Sequence, residues 1–144
     1  MTIHRGGLQR VSPYVWPSLD LRVLLLHESS TAAPNADDLY VVSLTPASNE
    51  LVNGDYERAV LTGLAASYDA GSDTWELTAD PGDFGALTGE SLGQGVRGWA
   101  LYAHVTNDSD SILLRSYSGA AQTLTGDDVR VSWTDGVVFT VAAG

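Results

Sequence analysis

The segment DTWELTAD (73–80) alternates apolar and polar side chains without a break, with Trp75, Leu77 and Ala79 on one side of an extended chain and Thr74, Glu76 and Thr78 on the other. A period of two buries one face of a strand and wets the other, and a helix has no use for it. Strand-length segments recur along the chain. LDLRVLLLH (19–27) is a short apolar run with Pro17 before it and a Ser/Thr/Asn loop after it, which predicts a buried strand. Further strands are predicted over LYVVSL (39–44), YERAVLTGL (56–64), VRGWALYAHVT (96–106) and SILLRSYS (111–118), the last two joined by the polar turn NDSD (107–110). FGALTGESLGQG (84–95) is too rich in glycine for more than one helical turn near Ala86 and Leu87. With no helical stripe and no fixed repeat, the pattern predicts an all-β fold, a single antiparallel β-sandwich or barrel-like domain.

The segment VRVSWTDGVVFTV (129–141) carries a hairpin signal in Asp135-Gly136. A two-residue loop would pair Trp133 with Val138 and scatter the apolar residues. A three-residue loop, Thr134-Asp135-Gly136 with the glycine left-handed, pairs Trp133 with Val137, Val131 with Phe139 and Val129 with Val141. Only this register gathers the large apolar residues on one face, so it is the one predicted.

The first eighteen residues have a different character. Pro13 and Pro17 flank Tyr14 and Trp16, a spacing that favours an extended course over a helix. Up to residue 22 the chain carries Arg5, Arg10 and Arg22 against a single acid, Asp20. Residues 1–18 are therefore expected to form an extended, mildly basic arm, and 19–144 the all-β domain. The arm's aromatics dock either on the chain's own body or on a neighbouring subunit.

At 144 residues the chain can bury a core that needs no disulfide or metal, and with no cysteine thiolate chemistry is excluded. No apolar run approaches membrane-spanning length, and MTIHRGGLQR lacks the apolar centre of a signal peptide, so neither a membrane nor a signal-peptide export route is expected. The net charge is −11 and all seven basic residues are arginine. Such a chain opposes phosphate backbones, so nucleic acid is not an expected partner.

The sequence names no catalytic apparatus. Gly93, Gly95 and Gly98 in GQGVRG have the spacing of a dinucleotide-binding turn, but they precede a strand where the chemistry needs them to open a helix. Asp69, Asp73, Asp80, Asp83, Asp108, Asp110, Asp127 and Asp128 fall in predicted loops without the ligand spacing of a calcium loop, and read as solvated acids. His4, His27 and His104 have no metal-ligand spacing; the last two read as structural. No nucleophile elbow is present, and no carboxylate pair is singled out. No cofactor is expected and the chain does not read as an enzyme. Tyr14, Trp16, Tyr40, Tyr68, Trp75, Trp99, Tyr102, Tyr117 and Trp133 could supply a sugar-binding platform, but most lie on apolar strand faces and are assigned to the core.

The densest local signal is LVNGDYERAVL (51–61). Asn53-Gly54-Asp55 is a turn, and Tyr56 and Arg58 follow on one face of an extended chain, with Glu50 or Asp55 within reach of the guanidinium. Glu50, Asn53, Gly54, Tyr56 and Arg58 are read as a structural corner. NELVNGDYERAVL (49–61) also resembles the Asn-Glu-x-x-Gly-x-Gly-Tyr-x-Arg segment of small structural proteins of tailed phages, particularly those of actinobacteria. The order of segments around it is similar too: LRVLLLH and ADDL (36–39) before it, then TWELTAD, GWALYA and a final W-x-D-G-hydrophobic-hydrophobic-F, over roughly residues 19–141. Asn53-Gly54-Asp55 is poorer in glycine than that family's segment, and 81–95 is longer.

The resemblance implies a noncatalytic virion protein, variously a head decoration, minor capsid or minor tail protein. A single domain without coiled-coil segments, with a basic aromatic arm and an acidic body, favours the capsid surface. The expectation is a decoration protein assembled in the bacterial cytoplasm, bound to the major capsid protein and to copies of itself, with a trimer as first choice. Arg5, Arg10, Tyr14 and Trp16 are the expected contacts, and deleting 2–16 is expected to abolish binding while leaving the body folded. The alternative is a tail-tip receptor- or carbohydrate-binding module.

Overall fold

A computed structural model describes residues 1–52, 54–88 and 95–143, with Thr88 described in its backbone only. The fold is all-β, as the alternation predicts. Among the described residues ten strands form three antiparallel sheets: β1 (Thr2–Ile3), β2 (Leu21–His27), β3 (Ala59–Val60), β4 (Ala65–Asp69), β5 (Thr74–Thr78), β6 (Gly82–Thr88), β7 (Gly95–Ala103), β8 (Ile112–Thr123), β9 (Thr125–Val131) and β10 (Val137–Ala142). The large sheet runs β1-β8-β7-β2-β3, a second β10-β5-β4, and β6 pairs with β9. Two single-turn helices, α1 (Arg5–Leu8) and α2 (Pro46–Asn49), complete the described elements together with short 3-10 turns.

The apolar run in β2 explains how the layers stack. Leu21, Val23 and Leu25 enter one core cluster with Leu77, Phe84, Leu101, Leu114, Val131 and Phe139, joining the large sheet to the strands of the two smaller ones. Leu24 and Leu26 point the other way, into a second cluster with Val41, Leu44, Ala100, Tyr102 and Leu113. A strand buried on both faces has no polar side to alternate with, so LRVLLL reads as continuous apolar sequence. The cover on the second face is the loop segment 28–50. It is tied down by Val41 N–H to Ser111 O (3.0 Å) and Leu113 N–H to Leu39 O (2.9 Å). The buried Asn49 braces it, donating to Leu44 O at 2.8 Å and accepting from Thr31 N–H at 2.9 Å.

Several expectations need correction. LYVVSL is not a strand: Val41–Leu44 form a 3-10 turn. Val41 and Leu44, three apart, are buried while Val42 and Ser43 between them are exposed, so the spacing is that of a turn. YERAVLTGL contributes only Ala59–Val60 as strand, and the next strand, β4, begins at Ala65 beyond Gly63, whose φ is +65°. The segment read as too glycine-rich for a helix forms none over its described residues; with Gly82 and Asp83 it supplies β6, a strand that the sequence did not mark, and 89–94, including Gly93 of the glycine triplet, lies outside the described residues. Gly95 and Gly98 lie in β7, where a Cβ would run into Gln122 O and Tyr117 O of the neighbouring strand.

The C-terminal hairpin is also not formed. The turn Thr134–Gly136 is there, with Gly136 left-handed at φ +75°, but Asp135 beside it is left-handed as well at +54°. β9 goes on to pair with β6, and β10 with β5. The turn is docked on residues 79–80 through Ala79 N–H to Gly136 O (3.1 Å) and Trp133 Nε1–H to Asp80 O (3.3 Å). It therefore carries the chain from one sheet to another instead of folding it back on itself.

Candidate functional site

The corner around Arg58 is a closed polar network. Arg58 Nε and Nη2 grip Glu50 side-on at 2.8 and 2.7 Å, and Nη1 and Nη2 grip Asp108 at 2.6 and 3.0 Å. Nη1 also donates to the Tyr102 hydroxyl at 3.0 Å. These bonds use all five guanidinium N–H groups. From its own loop, Glu50 reaches Arg58 as the sequence allows. Tyr56 donates its hydroxyl proton to Glu50 Oε2 (2.7 Å) and accepts from Leu25 N–H (3.0 Å), so the tyrosine fixes both the glutamate and β2. Its ring stacks on Phe84 at 5.9 Å.

The electrostatics follow from partial burial. Burial alone would lower the pKa of Arg58, but the bonds from Glu50, Asp108 and Tyr102 outweigh it and the guanidinium is held more firmly protonated than a free one. Burial first, then the Glu50 charge, pushes the Tyr56 phenol well above its ordinary value, and burial raises Tyr102 as well. Neither phenol ionises at ordinary pH. With all five guanidinium N–H groups engaged and both phenols held protonated, none of the three changes its protonation at ordinary pH, and their bonds join the 50–58 loop to β2, β7 and the Asp108 turn. Glu50, Tyr56 and Arg58 come together as the sequence predicts, with Gly54 in the turn of the same loop; Asn53 lies outside the described residues. Tyr102 and Asp108 are the members that the sequence did not single out. They stand 44 and 50 residues from Arg58, where no local spacing reports them.

The four residues assigned to partner contacts separate into two groups. Trp16 has no exposed surface: it lies in the main cluster, donates Nε1–H to Thr78 O at 2.8 Å and meets Phe139 edge-on at 6.0 Å. As a shell or subunit contact it is a misassignment, because a fully buried indole has no surface to offer. Tyr14 is 89% exposed, and Arg5 and Arg10 lie on the surface. Arg5 pairs with Asp37 at 2.9 Å, both largely in solvent, and Arg10 donates to Gly6 O at 3.1 Å. Residues 1–18 do not stand apart as an arm: β1 pairs with β8 and α1 lies so close to it that a Cβ on Gly7 would overlap Leu113 O. The deletion of 2–16 would therefore cut into the core and not leave the body intact.

His4 fastens this segment and was not anticipated. Its side chain is fully buried, with Nδ1–H donating to Asp38 O (3.0 Å) and Nε2 accepting from the Ser116 hydroxyl (2.8 Å). The carbonyl can only accept, which fixes this tautomer. His27 is held by Ser48 O at 2.7 Å and His104 stands 3.5 Å from the Ser111 hydroxyl, both local ties. Among the described residues no three His, Cys, Asp or Glu side chains converge as metal ligands, and no helix is long and apolar enough to cross a membrane. Comparison with family models, with curated proteins and with solved structures found no match.

Proposed function

We propose that the protein is a noncatalytic structural protein of a phage virion, a capsid decoration protein that binds the assembled shell. It would reach the capsid surface in the bacterial cytoplasm, contact the major capsid protein and associate with copies of itself, a trimer being the first choice. Binding only the assembled shell would stabilise it by mass action.

The observation that carries this reading is the presentation of Tyr14. A large aromatic side chain at 89% exposure sits on a segment pinned on one side by buried His4 and on the other by buried Trp16. Because the segment is held at both ends, a partner that covers the ring has chiefly the side chain left to order, and such aromatics anchor interfaces. Val15 beside it is 39% exposed, and Arg10 adds positive charge on a protein whose net charge is −11. The segment thus offers an apolar and basic contact, while the acidic remainder suits solvent.

The test is co-sedimentation with shells assembled without the protein. The unmodified protein is expected to pellet with the shells. Tyr14→Ala with Arg10→Ala should keep the thermal midpoint and lose most of the binding. A double variant that pellets as the unmodified protein does, or an unmodified protein that stays in the supernatant, would refute the reading.

A further inference from the structure

The large sheet carries two aromatics that the core does not fully enclose. Trp99 on β7 and Tyr117 on β8 are Cα partners across the two strands, so both side chains leave the sheet on the same side. Leu101, two residues on from Trp99, belongs to the main cluster, and that side is therefore the one the smaller sheets cover. Trp99 is half-buried and braced edge-on by Trp133 at 5.4 Å, while Tyr117 is 42% exposed. A glycine sets the attitude of the phenol. A Cβ on Gly119, two residues along β8, would overlap the Tyr117 hydroxyl and stand 2.8 Å from its Cζ. The ring thus reclines along its own strand over Gly119, with one face toward the backbone and the other turned away from it. Its hydroxyl has no hydrogen-bond partner among the described residues, unlike those of Tyr56 and Tyr102.

Both aromatics line a cleft of about 400 Å³ between this face and β9, a size within the roughly 300–1,000 Å³ of small-ligand sites. Beside them the lining is polar and exposed: Gln122 from β8, Thr125 and Asp127 from β9. The Asp127 carboxylate accepts from the Thr125 hydroxyl at 2.9 Å, and the Gln122 amide meets no partner among the described residues. The charges of the lining cancel, Arg97 and Arg130 standing against Asp127 and Asp128. On a protein of net charge −11 such a neutral recess favours neither an anion nor a cation. Its ligand needs a flat apolar face for the ring, polar groups along its edge for an amide, a hydroxyl and a carboxylate, and no net charge. A pyranose combines the three: C–H groups on its faces for the negative face of an aromatic, and hydroxyls around its rim that both donate and accept.

We propose that this cleft is a saccharide site, in which Tyr117 is the platform for a neutral pyranose and Gln122 and Asp127 take its hydroxyls. The proposal is independent of the capsid reading and stands if that reading fails.

The test is an array of neutral glycans ending in glucose, galactose, mannose, rhamnose or N-acetylglucosamine, probed with the full chain beside sialylated and amino-sugar glycans. The best-bound neutral sugar is then titrated as its methyl glycoside and read by tryptophan emission, with the thermal midpoint of every variant measured alongside. At least one neutral sugar should bind, with a saturable change in emission. Tyr117→Ala should weaken binding roughly tenfold at an unchanged midpoint. Tyr117→Phe, which keeps the ring, should bind as the unmodified protein does. Gly119→Ala, which lifts the ring off the strand while leaving Tyr117 in place, should lose binding as Tyr117→Ala does. Tyr68→Ala removes an exposed aromatic on β4, outside the cleft, and should change nothing. No binding to any neutral glycan, tighter binding to the charged ones, or a Tyr117→Ala protein that binds as the unmodified one does would overturn the proposal.

Discussion

Arg58 ties its own loop, through Glu50, to two parts of the chain remote in sequence, Tyr102 on β7 and the turn at Asp108. Replacing it would strand two carboxylates that are mostly shielded from water, which costs more than the loss of the pair itself. Arg58→Ala is expected to lower stability by about 3 kcal/mol, or roughly 10 °C in thermal midpoint for a chain of this size. Arg58→Lys should recover only part of it, since an ammonium cannot fork onto two carboxylates. Urea denaturation of the three proteins measures both effects. His4 gives the second expectation. Burial holds its pKa below the ordinary 6.5, with the Asp38 carbonyl opposing, so the unfolded chain takes up the proton first. Stability from this group is complete above pH 6.5 and falls as pH drops from there toward the folded value. Comparing urea midpoints near pH 7.5 and near pH 5.5, the unmodified protein should lose more than His4→Gln, whose side chain does not titrate. The local part of the corner was legible because Tyr56 and Arg58 share a face two residues apart. Asp108 was visible only as one loop acid among eight, and nothing near His4 signals its distant partner Ser116.

At the scale of elements, the sequence was most informative where a strand pairs in isolation from its context. β5 is half-buried and alternates, so its position follows from its own residues. The Thr134–Gly136 turn shows the opposite case. Its residues specify a left-handed bend, but the partners of β9 and β10 are set by β6 and β5, which compete with the local hairpin and win by placing Val131, Val138 and Phe139 in the shared core. The N-terminal segment was misread for a related reason. Proline spacing correctly denies it a long helix, but proline says nothing about burial, and Trp16 is worth more in the core than in water. Trp16→Ala is expected to cost about 4 kcal/mol through lost burial and the cavity left behind. The same variant should expose Tyr14 and Arg10 to greater motion, so it should weaken shell binding as well. Tyr14→Ala, by contrast, should leave the urea midpoint unchanged within about 0.5 kcal/mol.

For the whole molecule, the shared sheet decides how the parts fail. β2 and β7 contribute alternate residues to two clusters, Leu25 and Leu101 to one, Leu24 and Tyr102 to the other. Neither cluster can lose its packing without freeing a strand on which the other depends, so the two should melt together although the loop layer over 28–50 contains no long element of its own. Leu44→Ala and Leu77→Ala test this from opposite faces, since both side chains are nearly fully buried. Each truncation is expected to cost about 3 kcal/mol. Trp16 and Trp133 belong to the main cluster, Trp99 packs against it and Trp75 lies on β5, whose Leu77 is part of it, so tryptophan emission reports that side of the sheet. Far-ultraviolet dichroism reports the backbone as a whole. If the sheet couples its faces, Leu44→Ala will shift the emission transition by as much as the dichroism transition, even though the mutated side chain lies on the other side. A Leu44→Ala protein whose dichroism changes early while its emission transition stays at the unmodified midpoint would instead show the loop layer to be a separate, weaker unit, and the doubly buried β2 would then be a strand that serves two cores without joining them.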